Sequence, residues 1–162
     1  MKKIISLFLV IIAFSSCTQE VTFNNPSVQG TKDNYFWRAK TSSASVDVPN
    51  ATIRIVALSQ FETLTLSMPL PTISQSYPAT TLLGTGQVSE ATFSYTVNGQ
   101  NLFYATGTNT DDGQIILTEY DSVNKTVSGT YRFNAYNTTN NSLGNILVNF
   151  KQGIFYKVPV LN

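Results

Sequence analysis

The stretch GQIILTEYDSVNKTVSGTYRFNAY, running from Gly113 to Tyr136, decides the fold. On its first arm Ile115 and Leu117 alternate with Gln114, Thr118 and Tyr120. On its second arm Val127, Gly129, Tyr131, Phe133 and Ala135 alternate with Thr126, Ser128, Thr130, Arg132 and Asn134. A period of two on both sides of a short polar connection is the pattern of a β-hairpin with one apolar and one wet face. That face belongs in an antiparallel sheet covered on one side only.

The same alternation recurs on either side of this hairpin. Ala91 to Val97 and Asn101 to Thr106 are joined by Asn98-Gly99, the strongest two-residue hairpin signal in the chain, because such a turn needs residues that accept positive φ. Thr52 to Leu58 places Ile53, Ile55 and Ala57 on one face, and Thr63 to Met68 does the same with Leu64, Leu66 and Met68, so Ser59-Gln60 marks another hairpin. Trp37, the sole tryptophan, sits in the run Tyr35 to Lys40 and reads as a core anchor. Pro69, Pro71 and Pro78 break regular pairing, which makes Pro69 to Pro78 an edge or a long loop and a candidate binding surface. Asn137 to Asn145 is a second polar loop. Beyond it Ile146, Val148 and Phe150 alternate in a last strand, and a bulge at Gly153 turns Phe155 inward rather than Ile154. About eight or nine strands with regular turn signals predict an all-β fold, an antiparallel β-sandwich with a lipocalin-like β-barrel as the alternative. The sandwich is favoured because even closure would have to pass through the proline-rich segment.

Composition removes much chemistry. The 162 residues include no His and one Cys, so the usual transition-metal sites, Ser-His-Asp or Cys-His catalysis and an internal disulfide framework are excluded. Asp111-Asp112-Gly113 invites a calcium reading but lacks the alternating acids and closing Glu of a calcium loop, and a polar turn accounts for it. No metal, no cofactor and no catalytic residue are expected, and the chain reads as a non-enzyme. A hydrolase would depend on Glu62, Glu90, Asp111, Asp112, Glu119 and Asp121, and a glycosidase-like one would need two of these facing across a cleft at roughly 5 to 10 Å. A carrier would instead need an empty apolar barrel.

The N-terminus carries its own signal. Lys2 and Lys3 precede an apolar run from Ile4 to Phe14, followed by Ser15, Ser16 and Cys17. A charged segment, a short apolar segment and small residues before a cysteine resemble a bacterial lipoprotein signal peptide with the lipobox Phe14-Ser15-Ser16-Cys17. The apolar run is too short to span a bilayer core, which takes about 20 residues. The resemblance implies removal of residues 1–16 and lipidation of Cys17, whose acyl chains would be the chain's partner in the membrane. Residues 17–33, rich in Thr, Gln, Asn, Pro, Ser and Gly, then read as a flexible tether to a single β domain over 34–162. Loss of Lys2 and Lys3 leaves eight Lys and Arg against nine Asp and Glu, a balance with no basic stripe for nucleic acid. The expected location is the cell envelope, lipid-anchored at the outer membrane. Glu20 is the only acid near the anchor, which leaves the periplasmic and the surface face both open. An envelope protein or a glycan remains as the partner class.

Several elements together resemble a family of Bacteroidota lipoproteins, the domain of unknown function DUF6252. They are Trp37-Arg38-Ala39, the paired strands around Ile53 and Leu64, Gly113-Gln114-Ile115 with Glu119-Tyr120-Asp121, Ser128-Gly129-Thr130-Tyr131-Arg132-Phe133, and Gly153-Ile154-Phe155 before Val158-Pro159. The resemblance spans nearly the whole mature chain and implies no activity. In such a bacterium Asp121-Ser122-Val123 also resembles an O-glycosylation site, with Ser122 as the acceptor.

Overall fold

The computed structural model describes residues 25, 27–72, 75–139 and 143–161. Among them the fold is all-β, with eleven strands in one large mixed sheet. In chain order these are β1 (Ser27–Lys32), β2 (Tyr35–Arg38), β3 (Thr41–Asp47), β4 (Thr52–Leu58), β5 (Glu62–Pro69), β6 (Ala79–Leu83), β7 (Glu90–Val97), β8 (Gln100–Ala105), β9 (Gly113–Asp121), β10 (Thr126–Asn137) and β11 (Leu147–Leu161).

The long strands β10 and β11 organise the topology. β10 pairs with β9 and β11 along most of its length, and its last residues Tyr136 and Asn137 pair with Ala105 and Tyr104 of β8. β11 pairs with β1 through its first half, and at its end Val160 and Leu161 run parallel to Ala44 and Ser45 of β3. The pairings β11–β3–β4–β5–β7–β8–β10–β11 therefore form a closed circuit, with β1–β2 and β9–β6 as extensions. Closure goes through β10 and β11 and bypasses the proline-rich segment, because each strand is long enough to serve two neighbours.

The periodicity works as the sequence predicts over most of the sheet. Ile53, Ile55 and Ala57 of β4 and Leu64, Leu66 and Met68 of β5 are all buried. Asn98 and Gly99 both have positive φ, 51° and 76°, so the turn from β7 to β8 is the one its residues favour. Phe150 lies at the centre of the core. Its ring stacks on Phe133 at 4.9 Å and meets Phe93 at 5.3 Å and Trp37 at 5.7 Å, edge-on for the last two. Phe93 belongs to β7, across the circuit from β11, so rings from facing walls fill the space between them. Offset and edge-to-face ring pairs of this kind add about 0.5–1.5 kcal/mol each beyond their area.

Three local expectations change. β1 lies inside the stretch 17–33 read as a tether, and Val28 within it is fully buried; the folded part already includes Ser27, because Asp33 and Asn34 reverse the chain into β2 and bury one face of the resulting hairpin. Ser128, placed on the wet face by alternation, is buried, since the β9–β10 register shifts between Ser128 and Gly129. Ile146, expected inward, is 83 % exposed, because the Asn137 N–H donates to its carbonyl and β11 begins only at Leu147. The bulge at Gly153 is present: Tyr131 pairs with Gly153 but Phe133 with Phe150, and Phe155 points in while Ile154 points out.

Candidate binding site at one end of the domain

The β1–β2 turn carries positive φ at both Asp33 (49°) and Asn34 (69°), a conformation that Asp and Asn tolerate better than other residues with a Cβ. This tight reversal sets Lys32 at the tip of the hairpin and Trp37 opposite Gly30. Both side chains reach Glu62, the first residue of β5. The Lys32 ammonium forms an ion pair with Oε1, and the Trp37 indole N–H donates to Oε2. The same ammonium lies 4.8 Å from the Phe93 ring centroid and 5.7 Å from that of Tyr95. Aromatic faces attract a cation, and the attraction grows as water is removed. Lys32 and Glu62 are only about a quarter exposed, and each is satisfied within the cluster.

Tyr95 continues the cluster outward. Its ring is stacked on Tyr104 at 5.9 Å with 13° between planes, and the two hydroxyls are 3.4 Å apart. Burial, and then the hydrogen bond to Tyr95, push the Tyr104 phenol well above its ordinary range. Gly144 backs onto this pair with a φ of 83°; a Cβ there would stand 2.6 Å from the Tyr104 oxygen and 3.1 Å from that of Tyr95. Only glycine allows that segment to lie so close.

Next to the cluster opens a recess of about 250 Å³ lined by Ser59, Gln60, Phe61, Glu62, Tyr95 and Thr96. Phe61 presents a ring that is 66 % exposed, while its carbonyl accepts a hydrogen bond from the Thr96 N–H at 3.2 Å, which ties the β4–β5 turn to β7. The recess thus combines an apolar ring face with hydroxyls, an amide and a carboxylate already neutralised by Lys32.

Of the two loops singled out in the sequence, 137–145, whose residues 140–142 lie outside the described residues, neighbours this site through Gly144. Pro69 to Pro78 does not, since Glu62 and Pro69 are the opposite ends of β5. β1 likewise begins away from the site, with Ser27 paired to Tyr156, and reaches it at Lys32, paired to Phe150.

Apart from Asp111 and Asp112, which border one groove, the carboxylates named from the sequence fall in separate places. Glu62 is in the cluster. Asp112, 1 % exposed, accepts from the backbone N–H groups of Gly107, Thr108 and Asn109 at 2.7, 2.9 and 3.1 Å, so it pins the loop before β9. Asp121 accepts from Val123 and Asn124 in the β9–β10 turn, and the Asn124 hydrogen bonds chiefly hold it below the usual carboxylate value. Glu119 is exposed on β9 at 3.5 Å from the Ser128 hydroxyl, and Glu90 is exposed at the start of β7. Asp111 is exposed on a polar groove of about 290 Å³ that also touches Arg132, Asn134 and Lys151. Among the described residues no group of three or more His, Cys, Asp or Glu is placed to hold a metal. A more apolar groove of about 430 Å³, walled by Ile116 and Ile154 and bordered by Gln114 and Arg132, lies on the outer face of β9–β11.

Residues 1–16 and Cys17 lie outside the described residues, and Ser122 is exposed in the β9–β10 turn. Sequence reasoning named Glu62 but missed Lys32 and Tyr95. Asp33-Asn34 between two alternating runs is the signal that would have exposed the first hairpin, and with it Lys32.

No curated protein and no solved structure matches the chain. A family model does, from just before β1 into β11. Over residues 24–159 the chain matches the domain of unknown function DUF6252, and it belongs to that family.

Proposed function

We propose that the protein is a lipid-anchored lipoprotein of a Bacteroidota-type cell envelope, held in the outer membrane through Cys17, whose β domain works as a binding or structural module. The observation that carries this reading is the order Lys2-Lys3, Ile4 to Phe14, Ser15-Ser16-Cys17, which supplies a charged, an apolar and a small-residue segment ahead of the one thiol in the chain. The domain supports a binding role. Glu62, Asp112 and Asp121 are engaged in internal ion pairs or hydrogen bonds, and aromatic rings fill the space a carrier would leave empty. These features favour recognition over hydrolysis or transport of an apolar cargo. The chain between Cys17 and Ser27 reaches at most about 35 Å when fully extended. It joins the end of β1 remote from Lys32 and Glu62, so the recess and the attachment point lie at opposite ends of that strand. Fractionation tests this reading. The wild type should stay with membranes through an alkaline wash and Cys17→Ser should be released; a Cys17→Ser protein that remains in the membrane pellet would refute the anchor.

A further inference from the structure

We propose that the recess beside Glu62 takes one ring of a neutral saccharide, an inference that rests on the binding-module reading and names its ligand class. A pyranose has an apolar C–H face and a rim of hydroxyls. The recess answers both. Phe61 offers an exposed ring face, Ser59 and Gln60 offer a hydroxyl and an amide beside it, and Thr96, whose hydroxyl donates to Asn101, and the paired Glu62 carboxylate keep lone pairs for further donors. Mixed apolar and convergent polar lining is the usual character of a small-molecule site.

Charge decides against other classes. The cation next to the recess is Lys32, which does not line it and is held by Glu62 and by the faces of Phe93 and Tyr95. A phosphate or carboxylate ligand would have to break that pair and meet the Glu62 charge instead. A cationic ligand would find the Glu62 charge already paired with Lys32. The volume of about 250 Å³ suits a single sugar ring rather than an acyl chain.

The sole tryptophan reports on the site, since the Trp37 indole N–H is bonded to Glu62. The experiment titrates the full-length protein, in a detergent without a sugar headgroup, with maltotriose, cellotriose, mannotriose and chitotriose. Tryptophan emission is followed together with saturation-transfer NMR of the sugar protons, which detects binding even where Trp37 is unmoved. At least one trisaccharide should bind saturably in the millimolar range or tighter. Phe61→Ala, a change at an exposed side chain, should weaken it at least tenfold, and Phe103→Ala, at a ring 52 % exposed on β8 outside the recess, should leave it unchanged. Absence of saturable binding to all four sugars overturns the proposal, and so does binding that Phe61→Ala leaves intact. Neither failure touches the anchor, which is read independently from Cys17.

Discussion

Tyr131 and Gly153 face each other across β10 and β11, and a Cβ on Gly153 would stand 2.4 Å from the Tyr131 ring. The neighbouring pair is its reverse: Gly129 faces Phe155, and a Cβ on Gly129 would stand 2.3 Å from that ring. Two glycines thus seat two aromatic rings against the sheet, and each ring covers backbone that glycine leaves bare. Gly153→Ala should destabilise the domain by about 1–3 kcal/mol through overpacking. Combining it with Tyr131→Leu should cost less than the sum of the single changes, because the two residues share one space. Urea melts of the three variants measure this, and strict additivity would contradict the contact.

Phe133 and Arg132 test the register of the same strand. Phe133 is buried against Phe150, while Arg132 is exposed and donates to Gln114. Phe133→Ala should cost about 3–5 kcal/mol and Arg132→Ala no more than about 0.5 kcal/mol. Equal losses in denaturant melts would mean that the strand faces the other way.

Asp111 and Asp112 are adjacent yet unequal. Asp112→Ala would strip three backbone N–H groups of their acceptor. Gly107, Thr108 and Asn109 are exposed, so water replaces part of that acceptor, and the loss should be about 1.5–3 kcal/mol, the usual worth of hydrogen bonds to a charged group. Asp111→Ala, at an exposed turn position, should stay within about 0.5 kcal/mol. Thermal melts of the two variants check the ordering.

Much of the architecture was legible because strand periodicity is local. Asn98-Gly99, the inward set on β4 and β5, and the switch of face at Gly153 each follow from residues within one hairpin. What escaped depends on partners distant in sequence. Lys32 sits in a stretch whose composition resembles a linker, and its pairing with Glu62 crosses the interior from β1 to β5, a relationship no window of sequence contains. Ser128 and Ile146 failed for local reasons that composition does not show, since the register irregularity beside Ser128 buries it along with its inward neighbours and β11 begins one residue after Ile146. The closed circuit of strands was equally hidden, because it depends on β10 and β11 each serving two neighbours.

Alkaline pH should unfold the domain. Burial pushes the Tyr131 phenol well above its ordinary value of 10.0, and Tyr104 is raised in the same direction, chiefly by burial. The unfolded chain ionises these phenols near pH 10, whereas the folded chain holds their protons, so this stabilisation is complete below about pH 10 and is lost as pH rises beyond it. Circular dichroism and tyrosinate absorbance, recorded together, should show the last tyrosines ionising as the sheet signal collapses. Complete ionisation with the sheet intact would contradict the burial.

The central claim is that Cys17 carries the lipid that holds this domain in the envelope. Metabolic labelling of cells with a fatty-acid analogue tests it most directly. The account predicts label on the wild-type protein, a mature chain that lacks residues 1–16, and no label on Cys17→Ser. Label on Cys17→Ser equal to that on the wild type, or a mature wild-type chain that still begins at Met1, would contradict it.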